Sequence, residues 1–219
     1  MDWNAVTWES FERAIVEYRD QEFLGRSPTS GENAYLSLAA ELADVPMRDR
    51  AAHAASIVLF LNRWNCRFPR DESRAAIGGW IASEAQALES VAGLSITDRE
   101  VVARVSELDR LHESLIALRR GDPRIFTMSD ACASKLLGQM VPRLFVMWDS
   151  KIRVGFSSYG EFILKMHCLA LMLRDELAPD DARADIDGYL QRVLAYPVRK
   201  PLAKYIDEYN WSVAWGISL

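Results

Sequence analysis

The chain has 219 residues, of which 50% are hydrophobic and 26% are charged, a composition that excludes a natively disordered protein. Its net charge of −5 at pH 7 weighs against a general nucleic-acid coating protein, because phosphate contacts supply most of that affinity. Three cysteines without a CxxC pair argue against a disulfide framework and indicate a reducing, cytoplasmic environment. The N-terminal segment resembles no secretion signal and no apolar run could span a bilayer, so no membrane partner is expected.

The first half of the chain shows helical periodicity from its start. After Thr7, apolar residues recur at steps of three and four, which predicts one face of a helix. A second helix is predicted over residues 33–43. Pro46 suits the start of a third helix, which runs to about residue 65, and a fourth is predicted over residues 71–91.

Capping signals mark the next helices. Thr97 and Glu100 have the spacing of a capping box, which predicts a helix that lasts to about residue 118. Ser129 is the predicted N-cap of a short helix that ends at Met140. Ser157 or Ser158 is the predicted cap of a longer apolar helix, over residues 159–177.

Two prolines open the last predicted helices. Pro179 predicts a segment that ends near residue 196, and Pro201 begins the C-terminal helix. No stretch alternates with period two, so we expect an all-α fold, a compact globular bundle of about nine or ten helices in a single domain over 1–219. Charge, glycine and proline collect at residues 119–130, so two lobes with a cleft at this seam stay open as a second arrangement.

Standard metal and cofactor motifs are missing from the sequence. His53, His112 and His167 are dispersed, no HExxH motif occurs, and no glycine-rich phosphate loop is present, so neither a metal nor a cofactor is predicted. Cys168 lies in an apolar helix and is interpreted as a buried structural cysteine.

Two aromatic segments carry polar residues. In FLNRWNCRF, residues 60–68, Asn62 and Arg67 could line a groove for a base or phosphate, or they could cap a helix C-terminus. In the C-terminal KYIDEYNWSVAW, the aromatic spacing suits docking of the last helix, and Asp207 and Asn210 are interpreted as ordinary caps.

The stretch KLLGQMVPRLFVMWDSKIR, which begins at Lys135, is the most unusual in the chain. Lys135 lies off the apolar stripe of its helix and is surrounded by small residues, which leaves room for a substrate or a backbone. The RLFVMWD run is too apolar for a surface loop, so we expect it to pass through the interior and to carry Asp149 back beside Lys135. The alternative is a solvated lysine and an aspartate that acts as an N-cap.

This arrangement resembles the helix-hairpin-helix DNA glycosylase superfamily, especially its oxoguanine and archaeal branches. In that superfamily a helix carries a lysine, an apolar or proline-rich connection follows, and an aspartate opens the next helix. The matching positions are Lys135, the connection VPRLFVMW, Asp149 and Ile152, with Arg153 at the basic position. The hairpin glycines of the superfamily have no counterpart in TMSDACA, residues 127–133.

The resemblance implies excision or recognition of a modified base in DNA. Lys135 would attack C1′ and form a Schiff base, and Asp149 would stabilise the charge that develops at the sugar. The resemblance further implies substrate-binding roles, with Trp148 stacking on the flipped base and three basic residues meeting phosphates, namely Arg143, Lys151 and Arg153.

Two other functions remain open from the sequence. The first is a non-enzymatic helical module that senses a nucleotide or binds a protein partner, which the missing glycines and the acidic balance favour. The second is an enzyme that acts on a nucleoside or nucleotide in a cleft at residues 119–130.

Overall fold

A computed structural model describes residues 3–24, 31–118, 128–152, 155–196 and 198–216. These residues form nine α-helices and no strand, which confirms the predicted all-α class. The helices are α1 (Trp8–Tyr18), α2 (Gly31–Leu42), α3 (Ala54–Arg63), α4 (Arg70–Val91), α5 (Glu100–Ala117), α6 (Asp130–Met140), α7 (Tyr159–Met172), α8 (Ile186–Val193) and α9 (Leu202–Ala214). Within the described ranges, no helix combines the length and apolar character needed to cross a bilayer.

Side-chain caps explain where several helices begin. The hydroxyl of Ser129 accepts a hydrogen bond from the amide of Cys132, and Ser158 caps α7 in the same way, so both predicted caps are confirmed. The predicted box at Thr97 is wrong, because α5 begins at Glu100 after Arg99 and has no side-chain cap. A capping box does form at Thr7, which pairs with Ser10 at the start of α1.

Prolines were a weaker guide to helix starts. Pro201 precedes α9 as predicted. Pro179 begins only a run of turns, and α8 starts later, where the Asp185 carboxylate accepts the amide of Gly188. After Pro46 the chain forms a 3₁₀ segment, Met47–His53, before α3 begins. Proline lacks a backbone N–H and is compatible with several turn geometries. Its presence alone therefore does not show whether a helix begins there.

The helices enclose one continuous hydrophobic core. Helix α1 packs on α9, α5 packs on α7, and α4 packs on α3 and on the 3₁₀ segment that precedes α3. Cys168 is exposed on α7, which corrects its interpretation as a buried cysteine.

Helix α6 is held at both ends. His112 Nε2 donates to the carbonyl of Asp130 at 3.2 Å, and Arg50 Nη1 donates to the carbonyl of Met140 at 2.6 Å. Most of the seam predicted at 119–130 lies outside the described residues.

Candidate functional site

The connection after α6 doubles back along that helix. Its residues 144–148 are all buried, which confirms that this apolar run passes through the interior. The amide of Trp148 donates to the hydroxyl of Ser134 at 2.8 Å. Gly138, one turn further along α6, faces the side chain of Met147 and the carbonyl of Phe145. The chain at residue 148 is therefore delivered next to the turn of α6 that carries Lys135.

Trp148 is part of the aromatic core. Its side chain is 4% exposed, and its ring packs on His112, Tyr159 and Phe162 with centroid distances of 5.6 to 5.7 Å. The indole therefore fills space between α5 and α7, and its predicted role as a stacking platform for a base has no support in this geometry.

Asp149 serves the backbone of its own turn. Its Oδ1 accepts the amide of Lys151 at 3.1 Å and the hydroxyl of Ser150 at 3.3 Å. The carboxylate is half-buried, and no ion pair joins it to Lys135 in the part of the chain that the structure describes. The predicted Lys135–Asp149 pair stays a prediction: the backbone brings the two residues to the same turn of α6, without an ion pair between them.

Lys135 is buried and is not the solvated lysine of the alternative interpretation. The residue is 9% exposed, and its Nζ lies 4.8 Å from the centroid of the Trp64 ring. The interaction with the Cys132 thiol and burial raise the pKa of Cys66, and the Lys135 ammonium opposes this rise. The interaction with the Cys66 thiol lowers the pKa of Cys132 against the effect of burial, and Ser129 and Lys135 add to this lowering. We call these four residues, Trp64, Cys66, Cys132 and Lys135, the Lys135 site.

A larger set of charged residues lies next to the Lys135 site. The ionic cluster comprises Glu32 of α2, Lys200, which precedes α9, and three residues of α9, namely Lys204, Asp207 and Glu208. Lys200 Nζ lies 2.6 Å from Glu32 and 2.7 Å from Glu208, and Lys204 Nζ lies 2.8 Å from Asp207 and 3.2 Å from Glu32. The hydroxyls of Tyr18 and Tyr196 donate to Glu32 and Glu208.

Burial and pairing act in opposite directions on the carboxyl groups of the cluster. Burial opposes the ionisation of Glu32, but the ammonium groups of Lys204 and Lys200 outweigh it and hold the pKa at about 2. For Asp207 and Glu208 burial prevails, and the pKa of each is raised despite their lysine partners. The cluster therefore contains one firmly ionised carboxylate and two that bind a proton more readily.

Asp207 connects the ionic cluster with the Lys135 site. Its side chain is 11% exposed, whereas those of Glu32 and Glu208 are fully buried. Lys135 counteracts the raised pKa of this carboxyl, and the Trp64 ring lies within 5.6 Å of Lys204 as well as near Lys135. An ammonium, a proton-binding carboxyl and an aromatic surface thus meet at the edge of the cluster.

The other predicted substrate-binding residues lie apart from this edge or outside the described residues. Arg143 is exposed, and so is Lys151, whose Nζ lies 3.5 Å from the centroid of Trp215. Arg153 lies outside the described residues. These positions stay predictions, and neither Arg143 nor Lys151 forms a hydrogen bond or an ion pair with the described residues of the Lys135 site.

Asn62 lies in the last turn of α3, and Arg67 lies in the loop that follows it. The Asn62 amide donates to the carbonyl of Phe68 at 3.0 Å and accepts its N–H at 2.6 Å, so both ends of the side chain hold the loop closed. Arg67 is exposed and has a φ of 57°, a left-handed conformation that L residues seldom adopt. A structural role for Asn62 is therefore evident, and its role toward a ligand stays a prediction.

Sequence reasoning missed the charged residues of α9. Asp207 is an ion-pair partner and not a cap, and Asn210 accepts the Trp3 indole N–H at 2.9 Å and contacts Met166 Sδ. Lys204, Asp207 and Glu208 have the i, i+3 and i+4 spacing that is typical of a solvated helix face. The remaining faces of α9 are apolar and aromatic, which leaves no side of the helix for solvent. That composition was the signal that could have predicted burial of the charged residues.

The described residues contain no group of three or more His, Cys, Asp or Glu side chains placed to hold a metal ion. No protein-family model matches the chain, and neither a curated protein nor a solved structure matches it. The functional assignment therefore rests on the residues of the site and on their chemistry.

Proposed function

We propose that the protein is a glycosylase-like protein that binds a modified base or its nucleoside at the Lys135 site, with Lys135 as the reactive group. The observation that carries the proposal is the position of this lysine. The residue is 9% exposed and its ammonium lies over an aromatic ring, beside a carboxyl whose pKa burial raises. Amines and carboxyls in such surroundings are the groups that enzymes use for covalent and acid–base steps.

Trp64 offers the recognition surface. Its ring is half-buried, and its indole N–H makes no hydrogen bond to another described residue. The indole nitrogen itself is buried, and the ring packs against Gly31 with the ammonium groups of Lys135 and Lys204 over it. A base that displaces these neighbours would stack on the ring and accept a hydrogen bond from the indole N–H.

The chemistry would proceed from the neutral amine of Lys135. Its nitrogen forms a bond to C1′ of the sugar and gives up a proton to solvent, and the bond between C1′ and the base breaks with its electron pair going to the base. The bond between C1′ and the ring oxygen then breaks, the nitrogen lone pair forms the C=N bond of the Schiff base, and the ring oxygen takes a proton from solvent. A proton must reach the departing base, and Asp207 can supply it because its raised pKa favours the protonated form. The resemblance assigns the carboxylate role to Asp149, so the two aspartates are alternatives that experiment separates.

Borohydride trapping tests the reactive lysine. Wild-type protein is incubated with oligonucleotides that carry an oxidised guanine or an abasic site, and the Schiff base is reduced to a stable adduct. We expect an adduct that Lys135→Ala abolishes and that Lys165→Ala, a substitution on α7, leaves unchanged. An absence of adduct with the wild type, or equal trapping by Lys135→Ala, would refute the proposed lysine chemistry.

Substitution of the two aspartates then identifies the carboxyl. If Asp207 is the acid, Asp207→Asn lowers the trapping rate by about 10²-fold or more, whereas Asp149→Asn has a small effect. The reverse order would support the role that the resemblance gives to Asp149.

A non-enzymatic nucleotide-sensing module is the second candidate. The observation that favours it is the engagement of the Asp149 carboxylate with the amide of Lys151, which leaves the expected catalytic pair unassembled. Binding of free nucleosides, detected by calorimetry and lost in Trp64→Ala, without any trapped adduct on DNA would support this candidate.

A further inference from the structure

Two hydrogen-bond donors at the Lys135 site have no acceptor among the residues that the structure describes. Lys135 is 9% exposed, and its Nζ, 4.8 Å from the centroid of the Trp64 ring, forms no ion pair and no hydrogen bond with a described residue. The Nε1 atom of the same ring is buried and is likewise without a hydrogen bond. An ammonium and an indole N–H can only donate, so the two groups cannot satisfy each other.

The first turn of α2 lies beside these two donors. A Cβ built on Gly31, the first residue of α2, would lie 2.8 Å from a carbon of the Trp64 ring and 3.1 Å from its Nε1, so glycine is needed for this close approach. The first amides of an α-helix have no acceptor within the helix, and the helix dipole adds positive potential there. Three elements, α2, α3 and α6, thus bring donors to one region.

The carboxyl groups of the ionic cluster are engaged elsewhere. Glu32, the second residue of α2, lies 2.6 Å from Lys200 and 3.2 Å from Lys204, and Asp207 lies 2.8 Å from Lys204. Within the described ranges, Lys135 is therefore a buried cation without a carboxylate at ion-pair distance. Burial of a charge without a counter-charge is costly, and the contact with an aromatic ring offsets only part of that cost.

A small anion would complete this region better than a water molecule or a heterocycle. Water could accept both hydrogen bonds, but it would leave the charge of Lys135 unbalanced. A heterocycle that stacks on Trp64 must displace the groups that already cover the ring, which a small anion at the indole N–H does to a lesser extent. Oxyanions accept several charge-assisted hydrogen bonds at once and suit the start of a helix.

We propose that the Lys135 site binds a phosphate group, held by the Lys135 ammonium, the indole N–H of Trp64 and the first turn of α2. Phosphate is favoured over a carboxylate because it offers a separate oxygen to each of the three kinds of donor. The inference goes beyond the proposed base-binding function, since it requires the ammonium form of Lys135 and no covalent bond. A phosphate bound there would hold Lys135 in that form and so oppose its attack on a sugar.

Calorimetric titration of the full-length protein with inorganic phosphate tests the proposal, without nucleic acid and with the ionic strength kept constant by potassium chloride. We expect saturable binding of one phosphate per chain. Lys135→Met should weaken it by about tenfold or more, because a hydrogen bond to a charged group is lost together with the charge. Trp64→Phe keeps an aromatic ring without the N–H and should weaken it by about tenfold. Lys165→Met, on α7, should bind like the wild type.

Labelling of the wild-type protein gives a second measurement that needs no variant to fold. Lysines are acetylated with acetic anhydride, and the rate at each position is followed by mass spectrometry. Phosphate should slow the acetylation of Lys135 and leave that of Lys165 unchanged. Equal rates at Lys135 with and without phosphate, a lack of saturable binding, or equal affinity in Lys135→Met would overturn the proposal.

Nucleotides identify the source of the phosphate group. A nucleoside 5′-monophosphate that binds more tightly than inorganic phosphate, while the matching nucleoside does not bind, would support a nucleotide ligand, and equal affinities would support free phosphate. These results are separate from the test of the reactive lysine. Phosphate binding without a borohydride-trapped adduct would support the anion site and refute the lysine chemistry, and an adduct without phosphate binding would do the reverse.

Discussion

The protein buries a lysine in two neighbouring places and surrounds each differently. In the ionic cluster, Lys204 lies within 3.6 Å of Asp207, Glu32 and Glu208, so charge is balanced by charge inside the core. At the Lys135 site the ammonium faces an aromatic ring and two cysteines, with a single carboxyl at longer range. The first arrangement satisfies its own groups and therefore stabilises structure. The second leaves an amine and a buried indole N–H without an ion-pair or hydrogen-bond partner among the described residues.

Replacement of each lysine by methionine should give the largest contrast. Lys204→Met leaves buried carboxylates with one ammonium group, and such a loss costs about 3–5 kcal/mol. Lys135→Met keeps apolar contact with Trp64 and loses a cation–π interaction worth about 1 kcal/mol. Urea unfolding at neutral pH, monitored by circular dichroism, measures both changes.

Lys165→Met serves as the control, because this residue hydrogen-bonds Asn4 at the surface and contacts neither region. If Lys135→Met proved as destabilising as Lys204→Met, both lysines would be structural, and the distinction between the two regions would be lost.

The pH dependence of stability should separate the regions next. The folded pKa of Glu32, about 2, lies below its ordinary value of 4.5, so its contribution is present above pH 4.5 and is lost as pH falls toward 2. Asp207 and Glu208 have raised pKa values, so their contribution is present at low pH and is lost as pH rises through those values. Glu32→Gln should therefore flatten the acid limb of the stability profile between pH 4.5 and 2.

Glu113→Gln, at an exposed position of α5, is the matched substitution for that profile and should leave its acid limb unchanged. An unchanged limb in Glu32→Gln would show that the ionic cluster does not govern acid unfolding.

The smallest expected effect concerns the packing of α6 beside Lys135. A Cβ at Gly138 would meet Met147 and the carbonyl of Phe145 at 3.5 Å, which is ordinary contact, so Gly138→Ala should stabilise the protein by about 0.5–1 kcal/mol. At Gly160 of α7 a Cβ would lie 3.1 Å from the Cβ of Asp109, so the same change there should bring no gain. Thermal unfolding of both variants measures the difference, and a loss of stability in Gly138→Ala would mean that α6 has no spare room on this side.

The fold could be predicted where the signal is local. Ser129 and Ser158 cap helices because the hydroxyl satisfies an amide only three residues away, and the sequence contains both partners. Thr97 has the same spacing but forms no cap, since Ser95 and Asp98 form a competing turn before α5. Where two turns compete at the start of a helix, only the packed structure shows which of them forms.

The site was predictable only in part, for the same reason. The apolar connection after α6 was correctly expected to lie inside, and Lys135 is buried, while its role in a site stays a prediction. Its contacts were not predictable, because Trp64, Cys66 and Asp207 lie on elements that are distant in sequence. The ionic cluster was missed because i, i+4 charge pairs look alike on buried and on exposed helices.

The sequence by itself determined that this protein is all-α, where its well-capped helices begin, and that one apolar connection must run through the interior. Hydrophobic periodicity and caps act within a few residues, so they can be read in order along the chain. Only the tertiary structure decided that three carboxyl groups and two lysines share the interior and that Lys135 faces Trp64. These outcomes depend on which helices pack together, and long-range packing sets the surroundings, and hence the chemistry, of every buried charge.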